Sequence, residues 1–510
     1  MNVWLLYRDS EYGNTDASMN KNEIIQDLNL DVIFKTMARN DKYIYNTVRT
    51  VIMNSLTDIE TIQYRQAIIE DCIHNFNDFT GLYEMVSEAI EETNKYTEAT
   101  KKASSVPVSN AMSVLNSLEL LGILVKHLEN LKSYCDKMDH NFQSPGRKAF
   151  YDRLVKDINV RFVQKIKDSI TKMNFLTEGG EITFSASLGQ GLKFDNIIVN
   201  YLVKEGYKKR KTMGVVEMII HKIFSRNMVI LDDTNLARDA REMEAAGLAH
   251  ILKMYQKFIK ELSSFFECLR YPLAFYIGCA NLYIRFQQLH IPTSMPVVTK
   301  QDMNLLKFKG LYDMSLAIYS RKTPVCNDLA TEDKKLYIIT GANQGGKSTF
   351  LRSLGVAQLL MQAGMFVPAS YYCNRLYDGI FTHFTRREDV AMNSGKLDEE
   401  LKRMSDILDE ITPNSLLLLN ESFATTTERE GSAIASDVVR ALYENGTHIF
   451  MVTHLFEFTK ATYDENLEGA MFLSAERLAD GTRTYRILEK VPEKTSYGLD
   501  LYNDIITINI

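Results

Sequence analysis

The run Gly341-Ala342-Asn343-Gln344-Gly345-Gly346-Lys347-Ser348 has the residue types and spacing needed to hold a chain of phosphates. Glycines let backbone N–H groups converge on phosphate oxygens at the positive end of a helix. The lysine reaches the β and γ phosphates, and the serine offers a hydroxyl to Mg²⁺. The nucleotide contacts expected are Gly341, Asn343, Gly345, Gly346, Lys347, Ser348 and Thr349, with ATP and Mg²⁺ as the cofactors. An apolar run precedes the loop (Leu336 to Thr340) and an apolar helix pattern follows it, so strand, loop and helix stand in the order this chemistry needs.

A second half of such a site lies in Leu416-Leu417-Leu418-Leu419-Asn420-Glu421. A buried strand there delivers two polar residues at the carboxyl edge of a sheet. The usual first residue is an aspartate that holds Mg²⁺, often through water, and an adjacent glutamate orients the attacking water. Glu421 fits the second role. Asn420 keeps an oxygen for metal-bound water but brings no charge, so its hold on magnesium, from the second shell beside Ser348, is expected to be weaker than that of aspartate. A third strand, His448 to Thr453, delivers His454 beside the nucleotide as a γ-phosphate sensor, the alternative being a structural histidine. Met228 to Asp233 has the look of the Asn-Glu strand, but Asp233 precedes a long helical pattern and reads as a helix cap.

These residues need elements to carry them. Prolines are few, and the first three-fifths of the chain is dominated by helix-compatible sequence. Val114, Leu118, Leu121, Val125 and Leu128 recur at steps of four and three, which makes one stripe of a helix that must pack on another. The segment 100–110, small and polar with one proline, reads as a connection between helices. After Gly179-Gly180, Ile182, Phe184, Ala186 and Leu188 alternate with polar residues at the period of a half-buried strand, so a small β-containing insert sits inside a helical region. From about Asp239 to Leu289 a long helical arm returns, expected to break at Pro272. Residues 301–510 alternate strand-like and helical runs, as a wound α/β domain requires.

Composition narrows the class. A chain of 510 residues holds two to four domains. Its apolar runs fall far short of the roughly 20 residues of a membrane helix, and its N-terminus lacks a basic region with a long apolar stretch. A cytoplasmic protein without membrane contact is expected. Six cysteines, far apart and without a CxxC spacing, suggest reduced thiols rather than a zinc knuckle or disulfides. A net charge of −6 argues against a globally basic nucleic-acid binder, so any polyanion contact must be local. Lys204, Lys208, Lys209, Arg210 and Lys211, just after the insert's strands, are the candidates, the alternative being a solvated hairpin face.

The motifs also match a family. "TGANQGGKSTFLRSLGVAQLLMQAGMFVPA" resembles the phosphate loop of the MutS ATPases. "NESFATTTEREGSAIASDVVRALYENGTHIFMVTHLFEFT" resembles their second nucleotide motif, the threonine-rich loop after it and the Thr-His-x-x-Glu that carries the histidine. "TSYGLDLY" is similar to the element that closes their ATPase domain. The likeness is strong over about 335 to 500. Before that, "TIQYRQAIIED", the β-containing insert and the long arm look like the family's core, clamp and lever. Asn420 departs from the family's aspartate. "NSGKLDEELKRM" aligns Ser394 and Gly395 with the stretch that reaches the partner's nucleotide across a dimer, but the Ser/Thr and Phe that should follow are absent. The Phe-x-Glu wedge of mismatch-detecting members is expected to be missing, since Phe265-x-Glu267 falls in the arm helix, and so is a nuclease-like tail.

The fold class expected is therefore multidomain, with a mainly α-helical core and lever region over 1–300. That region carries a clamp-like β insert at about 160–235, and an α/β ATPase domain of ABC type follows over 301–510. The resemblance implies a homodimeric ATPase that couples ATP binding and hydrolysis to clamping on DNA or structured nucleic acid without classical mismatch reading. Glu421 and His454 would be catalytic, and Ser394 would contact the partner's nucleotide. The alternative is a nucleotide-switched dimeric scaffold gripping a protein or ribosomal partner.

Overall fold

The computed structural model describes residues 3–8, 21–103, 110–138, 142–158, 163–164, 166–168, 170–171, 181–188, 194–203, 233–300, 303–385, 395–478 and 480–492. Helices and mixed α/β sheets make up the fold. No helix among the described residues is long and apolar enough to cross a membrane. The chain forms two compact units. One gathers residues 1–3, 80–141 and 149–273, and the other gathers 4–79, 142–148 and 274–510.

In chain order the helices up to the insert are α1 (Lys21–Asp27), α2 (Leu30–Ala38), α3 (Lys42–Ile52), α4 (Ile59–His74), α5 (Phe76–Ala103), α6 (Asn110–Lys137) and α7 (Pro145–Asp157). The predicted stripe lies on α6, where Val114, Leu118, Leu121, Val125 and Leu128 are all buried. The segment 104–109 that joins α5 to α6 is outside the described residues. The insert's strands are β1 (Glu181–Leu188) and β2 (Phe194–Val203), an antiparallel pair with Glu181 opposite Val203 and Leu188 opposite Phe194.

The long arm differs from expectation. It is one continuous helix, α8 (Asp233–Gln288), with Pro272 inside it and Asp233 as its first residue. A proline in a helix interior removes one backbone bond and costs about 3 kcal/mol. Residues 272 to 282 are buried without interruption, and side chains such as Leu273, Phe275 and Tyr276 lose nearly all contact with water. Burial of one such side chain contributes about 1.5–3 kcal/mol, so packing of the whole segment outweighs the local penalty.

The remaining elements are β3 (Val297–Thr299), β4 (Leu305–Leu311), α9 (Met314–Ser320), β5 (Asn327–Glu332), β6 (Leu336–Thr340), α10 (Lys347–Gln362), β7 (Tyr371–Arg375) and β8 (Ile380–Phe384). They are followed by α11 (Lys396–Glu410), β9 (Leu416–Asn420), α12 (Glu428–Glu444), β10 (His448–Val452), α13 (Phe456–Asp464), β11 (Ala470–Arg477) and β12 (Arg483–Glu489). A six-stranded sheet runs β12-β11-β6-β10-β9-β8 and a four-stranded one β3-β7-β4-β5. In the larger sheet β11, β6, β10, β9 and β8 are parallel and only β12 runs the other way. Strands buried on both faces read as continuous apolar runs, which is why Leu416 to Leu419 shows no alternation.

Parallel strands share one carboxyl edge, so β6, β9 and β10 deliver the residues that follow them to the same side. The helix after β6 must therefore lie close to the sheet. Gly355 makes that possible: a Cβ there would stand 2.6 Å from Leu418 and 2.8 Å from Leu28. At the far end of α10, the buried Arg65 of α4 donates to the carbonyls of Leu6 and Ala363, at 3.0 and 3.3 Å, placing a cation at the helix's negative end.

Two glycine substitutions should move stability in opposite directions. Gly355→Val forces atoms into the contact with Leu418 and should destabilise by about 1–3 kcal/mol. Gly122→Ala, in α6 with nothing within 4 Å of the added carbon, should stabilise by about 0.4–1 kcal/mol. Thermal melts of the two variants check both signs, and a neutral Gly355→Val would refute the close approach.

Candidate functional site: a phosphate loop and the strand ends around it

The loop after β6 turns where only glycine is unstrained. Gly341 has φ 111° and Gly346, the residue before α10, has φ 91°. A Cβ on Gly341 would meet the backbone nitrogen of Ala475 in β11 at 2.8 Å, so the loop is pressed against its neighbouring strand. The first turn of α10 then begins at Lys347, and the unbonded N–H groups of a helix start point into the cradle.

Lys347 is only 4% exposed. Its ammonium donates to the carbonyls of Gly341 and Ala342, at 2.8 and 3.0 Å. Burial lowers its pKa to about 8, while the Glu421 carboxylate pulls the other way. Ser348 Oγ donates to Asn420 Oδ1 at 2.8 Å, which joins the start of α10 to the end of β9. The next residue, Glu421, takes φ 56°, and Phe423 takes φ 66°. Left-handed geometry at a residue other than glycine costs on the order of 1–2 kcal/mol, so the turn is strained and needs support.

That support comes from both neighbours of β9. The N–H of Glu421 donates to Val452 O of β10 at 2.8 Å, and Thr385 Oγ1 donates to Glu421 O at 2.7 Å. The carboxylate of Glu421 meets His454 Nε2 at 3.1 Å, and this bond, against the opposing effect of partial burial, holds the Glu421 pKa below the usual carboxylate range. An ionised carboxylate hydrogen-bonded to an imidazole is the arrangement that orients and polarises a water molecule.

A cavity of about 530 Å³ opens over the loop. Asn343 to Phe350 and Glu421 line one part of it, and Leu316, Pro324, Val325 and Tyr485 give it an apolar wall. Gln344 on the loop accepts from Arg483 of β12 at 3.1 Å, so the same hairpin that carries Tyr485 also touches the loop. Asp313 at the cavity's edge is paired with Arg352 at 2.9 Å.

Of the residues singled out by sequence, the structure brings Gly341, Asn343, Gly345, Gly346, Lys347, Ser348, Thr349, Asn420, Glu421 and His454 to this one edge. Ser394 and the basic residues Lys204, Lys208, Lys209, Arg210 and Lys211 lie outside the described residues. Among the described residues no cluster of histidine, cysteine, aspartate and glutamate has the make-up of a metal site, and no cysteine is in a disulfide. Sequence reasoning missed the apolar wall, since Leu316 of α9, Val325 in the loop after it and Tyr485 of β12 share no common spacing. It also missed Glu400, for which a signal existed. Glu400, Met404 and Ile407 follow the step of four and three, which puts an acidic residue on a buried stripe of α11.

Strand, glycine loop and helix on a mixed α/β sheet, with a lysine, a hydroxyl, an amide and a carboxylate around the loop, are the groups with which an α/β protein can receive phosphates. The comparisons with known proteins specify the family: the MutS2 N-terminal domain matches residues 57–289 and MutS domain V matches residues 337–506. The chain belongs to the MutS family. It is 36% identical to the DNA mismatch repair protein MutS of Thermus aquaticus over 187 residues, which are 36% of this chain and 22% of that protein. It is 34% identical to the corresponding protein of Thermotoga neapolitana over 176 residues, 34% of this chain and 22% of that one. Human MutS protein homolog 4 is 22% identical over 505 residues, covering 89% of this chain and 53% of that protein. The chain thus spans between about a fifth and about half of the length of these relatives.

The Lys347 pKa generates a pH prediction. Phosphate oxygens favour the charged ammonium, so binding takes up a proton wherever the empty site holds the lysine neutral. Affinity for ATP should be flat below pH 8 and should fall above it, by at most about tenfold per unit. Calorimetric titration from pH 7 to 9.5 measures this, and an affinity unchanged at pH 9.5 would contradict the burial of Lys347 in the empty site.

Proposed function

We propose that this chain is an ATPase that couples ATP binding and hydrolysis to clamping on DNA or structured nucleic acid, acting as a homodimer. The observation that carries the reading is the convergence of Lys347, Ser348, Asn420, Glu421 and His454 at the mouth of one cavity, with an apolar wall suited to a base. Lys347 and the backbone of the loop bind the phosphates. Glu421, kept ionised by His454, accepts the proton of the attacking water, and His454 orients that carboxylate and meets the γ-phosphate. The role is one of positioning and electrostatics, as phosphoryl transfer requires.

Mg²⁺ fits the donors present. Ser348 Oγ and Asn420 Oδ1 are hard oxygen ligands standing 2.8 Å apart. When bound, the ion supplies neutralisation of phosphate charge, with Ser348 as its direct ligand and Asn420 behind it. In this reading residues 301–510 are the ATPase domain, and residues 1–300 are the helical core and lever with the clamp-like insert at about 160–235. The two sites of the dimer are composite, Ser394 of each protomer approaching the other's nucleotide, and Lys208, Lys209, Arg210 and Lys211 meet the nucleic-acid backbone. The membership of the MutS family supports this reading, as do relatives whose names place them in DNA mismatch repair.

ATP turnover by the parent chain and its loss in Lys347→Ala test the enzyme. Turnover of the variant at the parental rate would show the site is misassigned. For the ligand, affinity for duplex and branched DNA should fall steeply with salt, since each phosphate contact neutralised adds about 0.9 to the logarithmic slope. Absence of salt-dependent binding to DNA and to structured RNA would overturn the clamp reading.

Asn420 sets a separate expectation. Asn420→Asp turns a neutral hydrogen bond into a charge-assisted one, a gain of about 1–3 kcal/mol. Half-saturating Mg²⁺ should drop about tenfold for each 1.4 kcal/mol gained, while turnover at saturating Mg²⁺ changes much less. Identical magnesium titrations for parent and variant would place residue 420 away from the metal.

A further inference from the structure

Glu400 sits in the second turn of α11 and is 6% exposed, a carboxylate without solvent access. Its two oxygens are both used on one loop. Oε1 accepts the N–H of Phe423 at 2.6 Å, and Oε2 accepts the hydroxyl of Thr425 at 2.5 Å. Its own carbonyl lies 3.1 Å from His383 Nε2 in β8. A carbonyl only accepts, so Nε2 carries a proton. The other ring nitrogen, Nδ1, lies 2.7 Å from Ser422 Oγ, and Ser422 and His383 are both fully buried.

These contacts enclose the strained turn. Glu421 and Phe423 are both left-handed, and Ser422 between them is held by His383 while Phe423 is held by Glu400. The main chain of Glu421 is fixed on its other sides by Val452 and Thr385. The direction in which the Glu421 side chain leaves the turn towards His454 is set by the φ of Glu421 and by the place of the next two residues. A buried acid on an apolar stripe is expensive unless its bonds fix something.

We propose that Glu400 is a positioning residue for hydrolysis: through Phe423 and Thr425, and with His383 and Ser422, it holds the turn that aims the Glu421 carboxylate at the attacking water. This rests on the ATPase reading of the site. Both carboxylate oxygens of Glu400 are taken up by the turn, so it acts through Glu421. Its effect is on chemistry rather than on nucleotide binding, because the loop and Lys347 form without it.

The test is steady-state and single-turnover ATP hydrolysis by the full chain. Glu400→Gln should lower kcat about tenfold or more, as small misplacements of catalytic groups do, with KM for ATP within about twofold of the parent. Thr425→Val, which removes one hydroxyl and leaves the buried acid in place, should lower kcat in the same direction, and Thr425→Ser should restore it. That pair keeps the proposal testable if Glu400→Gln folds poorly. In a Glu421→Gln background, Glu400→Gln should leave the residual single-turnover rate unchanged, since it acts through Glu421. Parental kcat in both Glu400→Gln and Thr425→Val would overturn the proposal, as would a double variant slower than Glu421→Gln by the full single-variant factor. Two controls separate the levels: no ATP turnover by the parent chain, or its persistence in Lys347→Ala, means the ATPase reading has failed and the positioning role with it, whereas an active parent and a dead Glu421→Gln beside a fully active Glu400→Gln and Thr425→Val reject positioning alone.

Discussion

The N-terminal end of α10 has to stop in open space at the carboxyl edge of the sheet, and the arrangement of the site depends on that one placement. The helix is fixed along its length and at its far end, and at its start the Ser348 hydroxyl ties it to the end of β9 while its N–H groups stay clear. Leu418 and Leu28 press against Gly355. Gln362 donates to the carbonyls of Leu56 and Tyr377, and the Arg65 guanidinium meets Ala363 O. The start of the helix is then free to present N–H groups outward, with Lys347 folded back on the carbonyls of its own loop. An anion that displaces those carbonyls meets a cation already desolvated, and its interaction is not weakened by water.

The same edge explains why strain is concentrated in the three residues after β9. A strand leaving a parallel sheet must turn at once if its side chains are to stay near the loop, and Glu421 and Phe423 do so in left-handed conformations without being glycine. The cost is offset by bonds that each neighbouring element supplies: β10 to the Glu421 N–H, Thr385 to its carbonyl, β8 to Ser422, and α11 to Phe423 and Thr425. Strain held by many contacts is a rigid device, because no single neighbour can relax alone. The turn's geometry is therefore a property of β8 with Thr385 after it, β10 and α11 together, and it carries the Glu421 carboxylate.

That distribution also decides what was legible in the sequence. The helical stripe on α6, the strands around the site and the loop itself could be read because each is local: a period, an apolar run, a glycine spacing. Pro272 was misread because its local cost is real and is outweighed by burial of residues 272 to 282, which no window of sequence displays. Glu400 was passed over for the opposite reason. Beside Asp398 and Glu399 it looks like one more solvated acid, and only its phase with Met404 and Ile407 sets it apart. The apolar wall of Leu316, Val325 and Tyr485 had no local signature, since a residue of β12 meets there the helix and loop of 314–325, far from it in sequence.

Asparagine at 420 is best understood through the charges around it. Ser348 donates to its oxygen, as it would to an aspartate, so the geometric link between α10 and β9 does not need a charge. Glu421 is adjacent, and His454 keeps its pKa low. A second carboxylate at 420 would repel it and push that pKa back up unless a cation lay between them. Asp313, also on the cavity, is already neutralised by Arg352. With a neutral amide at 420, the attraction between Lys347 and Glu421 and the bond from His454 suffice to keep Glu421 ionised. In the function proposed, the neutral amide would weaken the grip on Mg²⁺ while leaving Glu421 undisturbed, and the carboxylate's ionisation would depend on Lys347 and His454 of this chain rather than on a bound ion.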